Sequence, residues 1–308
     1  MTPFMPRMLL ILPTALGVCL VSFLLMKAVP GDPVLGLVGE HADPAVVQQY
    51  REKLGLQDSL WVQCSRYIGM IARGDLGISY YTKEPVAKAI AQKFPNTLLL
   101  AGASLGFAVV VGILFGIVGA LFRGTWLDRA ILFFVTLTMS LPVFWFGLIL
   151  ILVFSYCLGW LPAVGMGGPS HLVLPALTLA SRSCAGIARL SRSTLLDALK
   201  EPHILVARAK GLSRMQVVMR HAFRLTWIPL ITMVGIDFAS YLNGSVLTET
   251  IFGWDGLGRY AMIAIFRRDF PVILGTVLFG ALLFIVANVL VDLCYRFLDP
   301  KLRGKRVL

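Results

Sequence analysis

Long apolar runs separated by short polar segments are the main pattern of the chain. One run extends from Met8 to Met26, and five more follow near Thr97–Leu121, Ile131–Leu158, Leu172–Ala188, Ile228–Ile251 and Val272–Cys294. A helix that crosses a bilayer needs roughly 20 predominantly apolar residues, and each run is close to or above that length. The pattern predicts an all-α integral membrane protein with six transmembrane helices.

The first run has two interpretations, a transmembrane helix or a cleaved signal peptide. Arg7 precedes it and Lys27 follows it. A signal peptide has a shorter apolar core, about 7–15 residues, and ends in a small-residue cleavage site. Here the run continues into the turn sequence Lys27–Pro33. We therefore predict that residues 1–29 hold a cytoplasmic N-terminus and a retained first helix.

Residues 30–96 have a different character, because they carry seven acidic and seven basic residues. Such balanced charge predicts an extramembrane insertion. Within it we expect one helix over Pro44–Lys53, with Asp43 as its N-cap and Gly55 just past its end. A second helix is expected from Ser59 to Ala72, followed by a turn at residues 74–77.

Two prolines fall within the later apolar runs. Pro142 interrupts the third predicted helix, and Pro175 lies near the start of the fourth. Membrane helices tolerate such breaks where neighbouring helices satisfy the freed backbone groups. Both positions therefore indicate helices that are packed or line a pore.

Composition excludes most other classes of protein. The hydrophobic fraction is 57%, charged residues make up 14% and the mean hydropathy is +0.81, whereas soluble domains average about 25% charged residues. No phosphate-binding loop of the G-x-x-x-x-G-K-[ST] type occurs, and the five cysteines form no C-x-x-C pair. The four histidines are scattered. These features predict neither an enzyme nor a metal or cofactor site in this chain.

The net charge of +12 is explained by the distribution of lysine and arginine. With the N-terminus inside, the inner segments hold sixteen of these residues and the short outer loops only three. Cytoplasmic loops carry such an excess. Both termini are thus predicted to be cytoplasmic, including a basic tail at 296–308, and the insertion at 30–96 is predicted to be periplasmic. A nucleic-acid partner is not needed to explain the charge.

The inner loop 191–227 is too long for a simple connector and is predicted to form helix, turn, helix. Small residues at its centre would let another protein approach the backbone closely, and flanking bases would pair with acids. The loop is also compatible with a basic amphipathic helix on anionic lipid. Its central residues are Ala207, Arg208, Ala209, Lys210, Gly211 and Leu212, followed by Arg220, His221 and Ala222.

This loop resembles the cytoplasmic loop of the binding-protein-dependent ABC permeases of the dipeptide, oligopeptide and nickel family. Residues 201–204 depart from the family, which more often has an acid, a tyrosine and a valine there. Further segments match the family in order and spacing: Pro30–Pro33, Leu54–Leu56, Gly74–Ser79, Pro95–Leu98, Glu249–Trp254, Gly256–Gly258, Arg268–Ile273 and Asp292–Pro300.

The resemblance implies a type I ABC importer permease fold, with a periplasmic insertion after helix 1 and a five-helix core at 97–295. It implies a location in the bacterial inner membrane and residues 207–212 as the ATPase-coupling element. It also implies partners: a second homologous permease, two ATPase subunits that bind ATP and magnesium, and a periplasmic solute-binding protein. The cofactors would then belong to the partners.

Two acids are candidates for the translocation path, Asp237 within a span and Glu249 near its outer end. A charge inside a bilayer is costly and is therefore a functional candidate by default. The alternative for Asp237 is a salt bridge with Arg182 or Arg189. A secondary transporter or channel acting without an ATPase is the alternative for the whole chain, but internal repeats, which such a transporter is expected to show, are not found.

The sequence leaves the substrate open. Residues 161–168, His171 and residues 174–176 resemble the nickel branch more than the oligopeptide branch, and Met166 and His171 offer soft and imidazole donors. One methionine and one histidine do not make a metal site, and the alternative is a loop that packs on the binding protein. Nickel or a metal chelate is therefore favoured only slightly over a short peptide. Opines, dipeptides, oligopeptides and glutathione remain open as substrates.

Overall fold

The fold is given by a computed structural model that describes residues 42–53 and 55–298, together with isolated positions between 13 and 38. The predicted first helix lies only partly within the described residues, and its described positions from 13 to 24 are helical. The predicted tail beyond residue 298 also lies outside them. Among the described residues, extended pairing is limited to one bridge between Ile78 and Pro85.

The helices are numbered in chain order. They are α1 Pro44–Lys53, α2 Leu60–Ala72, α3 Val86–Leu121, α4 Trp126–Ser140, α5 Val143–Leu150, α6 Ser170–Ala198, α7 Pro202–Ala209, α8 Arg214–Gln216, α9 Phe223–Gly244, α10 Val246–Ile251, α11 Leu257–Arg267 and α12 Phe270–Leu298. A π-helical stretch, Ile151–Cys157, continues α5, and another, Val217–Ala222, joins α8 to α9.

The chain divides into two compact units. One contains residues up to Asn96 together with Asp255–Ile285, and the other contains Thr97–Trp254 together with the chain from Val286. In the first unit, the two predicted helices of the insertion are confirmed as α1 and α2. The Asp43 carboxylate caps α1 by accepting a hydrogen bond from the Ala45 N–H at 2.9 Å. The turn at 74–77 is also confirmed, with φ of +75° at Gly74 and +83° at Gly77.

Four helical segments are long and apolar enough to span a membrane: Val86–Leu121, Ser170–Ala198, Arg214–Leu242 and Phe270–Leu290. A fifth span is formed if Trp126–Ser140 and Val143–Cys157 act together, and these two segments meet at an angle of 109°. The described residues therefore hold four or five of the six predicted spans. The sixth is the first apolar run, which they include only at isolated positions.

The third predicted helix, 131–158, is divided into two helical segments that meet at a bend. Leu141 is extended, with φ −85° and ψ 136°, and separates α4 from α5. A proline disfavours helical geometry in the residue before it, so Pro142 forces the bend. The fifth predicted helix, 228–251, is likewise divided at Ser245, where ψ is +11°. Helix α3 begins at Val86, inside the predicted insertion.

Helices α3 and α6 pack closely because glycines of α3 face α6. A Cβ atom at Gly112 would lie 2.8 Å from the Cys184 carbonyl oxygen. At Gly116 it would collide with the Ser191 side chain and lie 2.9 Å from the Ala188 carbonyl oxygen. Small residues at helix interfaces permit this backbone approach in membranes. The contact positions the C-terminal end of α6, which leads into the loop 191–227.

Candidate functional site

The inner loop contains a tight turn between two short helices. Pro202 occupies the first turn of α7, where its missing N–H costs nothing. Helix α7 ends at Ala209, and Gly211 then takes φ +84° while its N–H donates to the Arg208 carbonyl at 2.9 Å. Glycine adopts this left-handed geometry without the strain that a side chain brings. The turn is therefore set by Gly211.

A capping box begins the next helix. The Ser213 hydroxyl accepts from the Gln216 N–H at 3.3 Å, and the Gln216 side chain accepts from the Ser213 N–H at 3.0 Å. This reciprocal pair satisfies backbone donors that a helix start leaves open. The predicted helix, turn, helix of the loop is thus confirmed, with its turn at residues 210–213.

One side of the loop is anchored in an apolar cluster. This cluster joins α7 and the π-helical stretch Val217–Ala222 to the ends of α3 and α6. Leu212 of the turn packs against it. Ala207 of the predicted coupling residues is also buried. The buried members are Ile117, Ala120, Leu195, Ala198, Ile204, Val217, Val218 and Ala222.

The other side of the loop is open to its surroundings. Arg208, Ala209, Lys210 and Gly211 are exposed. Apolar side chains lie around them at the surface, an arrangement that marks contact sites on proteins when they are contiguous. These exposed apolar residues are Leu205, Val206, Met215 and Met219.

A groove of about 420 Å³ runs beside this surface. It lies between the end of α6, the start of α7 and α9, and the Asp197 carboxylate at its edge is paired with Lys200 at 2.8 Å. Its lining residues are Thr194, Asp197, Ala198, Glu201, His203, Leu225 and Pro229. Of the segment 201–204, which departs from the family pattern, Glu201 and His203 line this groove, whereas Ile204 is buried in the apolar cluster.

An ion pair with a buried carboxylate lies near the same end of α6, and sequence reasoning missed it. The Arg192 Nε and Nη2 atoms donate to the two Asp128 carboxylate oxygens at 2.7 and 2.8 Å. The Gly124 N–H also donates to Asp128, at 2.9 Å. Bidentate pairs of this kind fix relative orientation as well as adding stability. The sequence feature that could have indicated this pair is Asp128, the lone acid in the first turn of an apolar helix.

The salt bridge that was the alternative to a path role for Asp237 is not formed among the described residues. The Asp237 side chain lies near Ser183 and Arg182 of α6. Among the described residues, Asp237 has no ion pair within 4.0 Å, and its Oδ2 atom is buried without a hydrogen-bond partner. The alternative pairing with Arg182 or Arg189 is therefore not found, and both of these side chains are exposed on α6.

Glu249 is enclosed rather than open to a path in this chain. It is 0% exposed. The hydroxyls of Thr97 and Ser245 donate to its Oε1 atom at 2.8 and 2.6 Å. The carboxylate thereby links α3 to the short helix α10. Sequence reasoning found this residue but not its partners.

The donors suggested for a metal are not assembled into a ligand set in the described part of the chain. Met166 is exposed, and the His171 ring packs against Gly167, where a Cβ atom would lie 2.6 Å from His171 Cε1. Groups of three or more histidine, cysteine, aspartate or glutamate residues suited to a metal ion are not found among these residues.

Comparison with known proteins gives relatives along nearly the whole chain. The glutathione transport system permease protein GsiC of Escherichia coli strain K12 is 40% identical over 299 residues, covering 97% of this chain and 98% of that protein. The protein of the same name from Salmonella paratyphi A is also 40% identical over 299 residues, with the same coverage.

Solved structures with the same fold are more distant in sequence. An inward-facing structure of the MetNI methionine ABC transporter matches with a TM-score of 0.58 at 20% identity, covering 68% of this chain and 96% of that one. An amino acid ABC transporter with histidines matches with a TM-score of 0.55 at 17% identity, covering 68% and 94%. The fold is therefore that of an ABC importer permease.

Two family descriptions cover most of the sequence. The N-terminal description of binding-protein-dependent transport system membrane components matches residues 1–101. The description "Binding-protein-dependent transport system inner membrane component" matches residues 112–304, more than half of the chain. The chain belongs to this family of inner membrane components and is a permease subunit of an ABC importer.

Proposed function

We propose that the segment from Pro202 to Gln216 is the surface through which an ATPase subunit drives this permease. The observation that carries the proposal is the two-sided character of the segment. One side is buried against the ends of α3 and α6, and the other exposes Arg208 and Lys210 among apolar side chains. An element held in this way can pass a displacement at its surface to the helices behind it.

The assembly proposed for this permease contains a second permease subunit, two ATPase subunits and a solute-binding protein. The family description, which names binding-protein-dependent transport, supports this composition. ATP and magnesium would be bound by the ATPase subunits and not by this chain. With both termini in the cytoplasm, the inner loop would face the ATPases and the 30–96 insertion would face the binding protein.

Glutathione or a similar short peptide is the substrate class we propose. Support comes from the relatives named as glutathione permeases, which match 97% of this chain at 40% identity. That likeness covers more of the chain than the short motif around His171 that favours nickel. Asp237, half-buried on α9, remains the proposed path residue. Enclosed Glu249 is proposed to hold α3 to α10.

Substrate competition tests this proposal. The complete transporter and its binding protein would be reconstituted in liposomes and given labelled glutathione with ATP inside the compartment that holds the ATPases. We expect accumulation of the label, inhibition by unlabelled short peptides and no inhibition by Ni²⁺ at equal concentration. Accumulation of ⁶³Ni²⁺ without binding or uptake of glutathione would contradict the proposed substrate and leave the family assignment intact.

A further inference from the structure

Helix α2 presents apolar side chains on its outer side, although it lies in a charge-rich insertion. Its inner side includes buried Cys64 and partly buried Tyr67. Trp61 is 84% exposed and Leu60 is 63% exposed, and Val62 and Met70 are exposed as well. The helix sequence contains one charged residue, Arg66, which is paired with Asp58 at 2.7 Å. The outer side of α2 is therefore mainly apolar.

The neighbouring helix α1 provides a contrast within the same insertion. Its sequence, PAVVQQYREK, contains three charged residues and two glutamines, and it has no buried residue. Its large exposed apolar side chains are Val46 at 39% and Tyr50 at 37%, both less exposed than Leu60, Trp61 and Val62 of α2. Apolar surface left in water costs about 25 cal/mol per Å² relative to a covered state. Covering the outer side of α2 with an apolar environment would therefore lower the free energy more than covering α1 would.

A ring contact places α2 beside the first apolar run. The Tyr67 and Phe23 ring centroids lie 5.9 Å apart, and Phe23 belongs to the run from Met8 to Met26. Burial raises the pKa of the Tyr67 phenol to about 12, so this contact carries no charge at neutral pH. Because the run is of membrane-spanning length, a helix touching its residue 23 lies near the bilayer surface.

Trp61, the exposed aromatic residue of α2, lies close to the level of the bilayer surface. Trp61 precedes Tyr67 by six positions, or about 9 Å along a helix axis. The polar interfacial zone on each side of the hydrocarbon core is roughly 5–8 Å thick. Tryptophan is enriched in this zone because its ring is apolar while its indole N–H can still be hydrated. The position of Trp61 and the chemistry of its ring therefore both favour the interfacial zone.

We propose that α2 is an interfacial helix whose first turn, Leu60-Trp61-Val62, inserts into the headgroup region of the adjacent phospholipid leaflet. Arg66 and Asp58 would remain at the level of the headgroups. This contact goes beyond the transport function, because it anchors the insertion to the bilayer and does not depend on substrate or ATP. The occupant of the outer side of α2 is lipid, and not a protein partner.

The proposal is tested by measuring depth with a fluorescent label. Single cysteines at Trp61→Cys and, as a matched control on the exposed surface of α1, Gln49→Cys would carry an NBD fluorophore in a transporter complex freed of other cysteines. The complex would be placed in phosphatidylethanolamine and phosphatidylglycerol bilayers. Quenching would be compared between phospholipid bearing a nitroxide at acyl carbon 5 and iodide in the water.

We expect the label at position 61 to emit at shorter wavelength than the label at 49, and to be quenched by the nitroxide lipid more than by iodide. The label at 49 should show the reverse. Equal iodide quenching at both positions would overturn the proposal, and protection of position 61 from both quenchers would assign a protein cover instead. Leu60→Cys provides a second reading if Trp61→Cys does not assemble.

Discussion

At the scale of single residues, the two acids suggested by the sequence have different environments and should respond differently to substitution. Glu249→Ala leaves the buried Thr97 and Ser245 hydroxyls without their acceptor, and each such loss costs about 1–3 kcal/mol. We expect a lower melting temperature of the purified complex. Glu249→Gln retains an acceptor oxygen and should lose much less stability. Equal melting temperatures for the wild type and Glu249→Ala would contradict the linking role.

Asp237→Asn serves as the comparison for Glu249→Ala. The substitution breaks no ion pair among the described residues, so the melting temperature should remain near that of the wild type. If Asp237 borders the path, uptake should fall at unchanged protein level. Unchanged uptake together with unchanged stability would remove Asp237 from the proposed path.

Gly211 is the residue at which the proposed ATPase contact is most directly probed. Gly211→Asp introduces a negative charge into a basic surface and a side chain at φ +84°. We expect the chain to insert normally and to lose bound ATPase subunit or the stimulation of ATP hydrolysis by loaded binding protein. Co-elution and hydrolysis would be measured on the purified complex.

The control is Gly74→Asp, because Gly74 also has positive φ, +75°, and a Cβ added at either glycine would meet no atom within 4 Å. The backbone strain of the two variants is therefore comparable, but Gly74 lies in the insertion. Gly74→Asp should leave ATPase binding unchanged. Equal losses in both variants would mean that strain and not the loop surface is responsible.

Local chemistry explains which residue-scale predictions were confirmed. The Asp43 cap and the turn glycines depend on near neighbours in sequence, so the sequence indicates them directly. The Asp128–Arg192 pair joins residues 64 apart, and the Ser79–Asp269 hydrogen bond joins residues 190 apart. Such contacts depend on helix packing that periodicity does not specify. The same reason explains why the sequence could not decide between a path role and a salt bridge for Asp237.

At the scale of elements, the glycine face of α3 makes a prediction about helix packing. Gly116→Ala forces its methyl group into Ser191 and the backbone of α6, and overpacking of this kind costs roughly 1–3 kcal/mol. Gly106→Ala, on the same helix, meets no atom within 4 Å and should be neutral or stabilise α3 by up to about 1 kcal/mol. Thermal unfolding of the two purified complexes would compare them. A Gly106→Ala loss as large as that of Gly116→Ala would contradict close packing of α3 on α6.

The apolar runs predicted where helices lie better than where they begin and end. Hydropathy locates α3, α6 and α12 because long apolar segments have few alternatives in a bilayer. It does not detect the 109° bend between the two halves of the third run, since the bend depends on Leu141 leaving helical geometry before a proline. Similarly, the break at Ser245 lies inside a run that is long enough to be taken for one span.

At the scale of the whole molecule, the distribution of lysine and arginine predicts the orientation. In a cysteine-free background, Gln49→Cys on α1 and Met215→Cys on α8 are both exposed positions. A membrane-impermeant maleimide applied to intact spheroplasts should label position 49 and should reach position 215 only after permeabilisation. Native Cys64 is buried, so it should react slowly. Labelling of Met215→Cys in intact spheroplasts would contradict the proposed cytoplasmic loop.

Fold class and family follow from the sequence at this scale because composition excludes soluble folds and many short motifs occur in a fixed order. The substrate does not follow, because the short motif around His171 specifies no set of contacts around a solute. The assembly is also beyond a single chain, since the exposed surface of the inner loop indicates a contact and not the identity of its partner.

The central claim, import driven by ATP through partner subunits, is tested most directly by the energy source for uptake. The complete transporter in liposomes, supplied with loaded binding protein, would be given ATP, a non-hydrolysable ATP analogue, or an ion gradient alone. We predict accumulation of labelled glutathione only with ATP. Accumulation driven by the ion gradient in the absence of ATP would contradict ATP-driven import and indicate a secondary transporter.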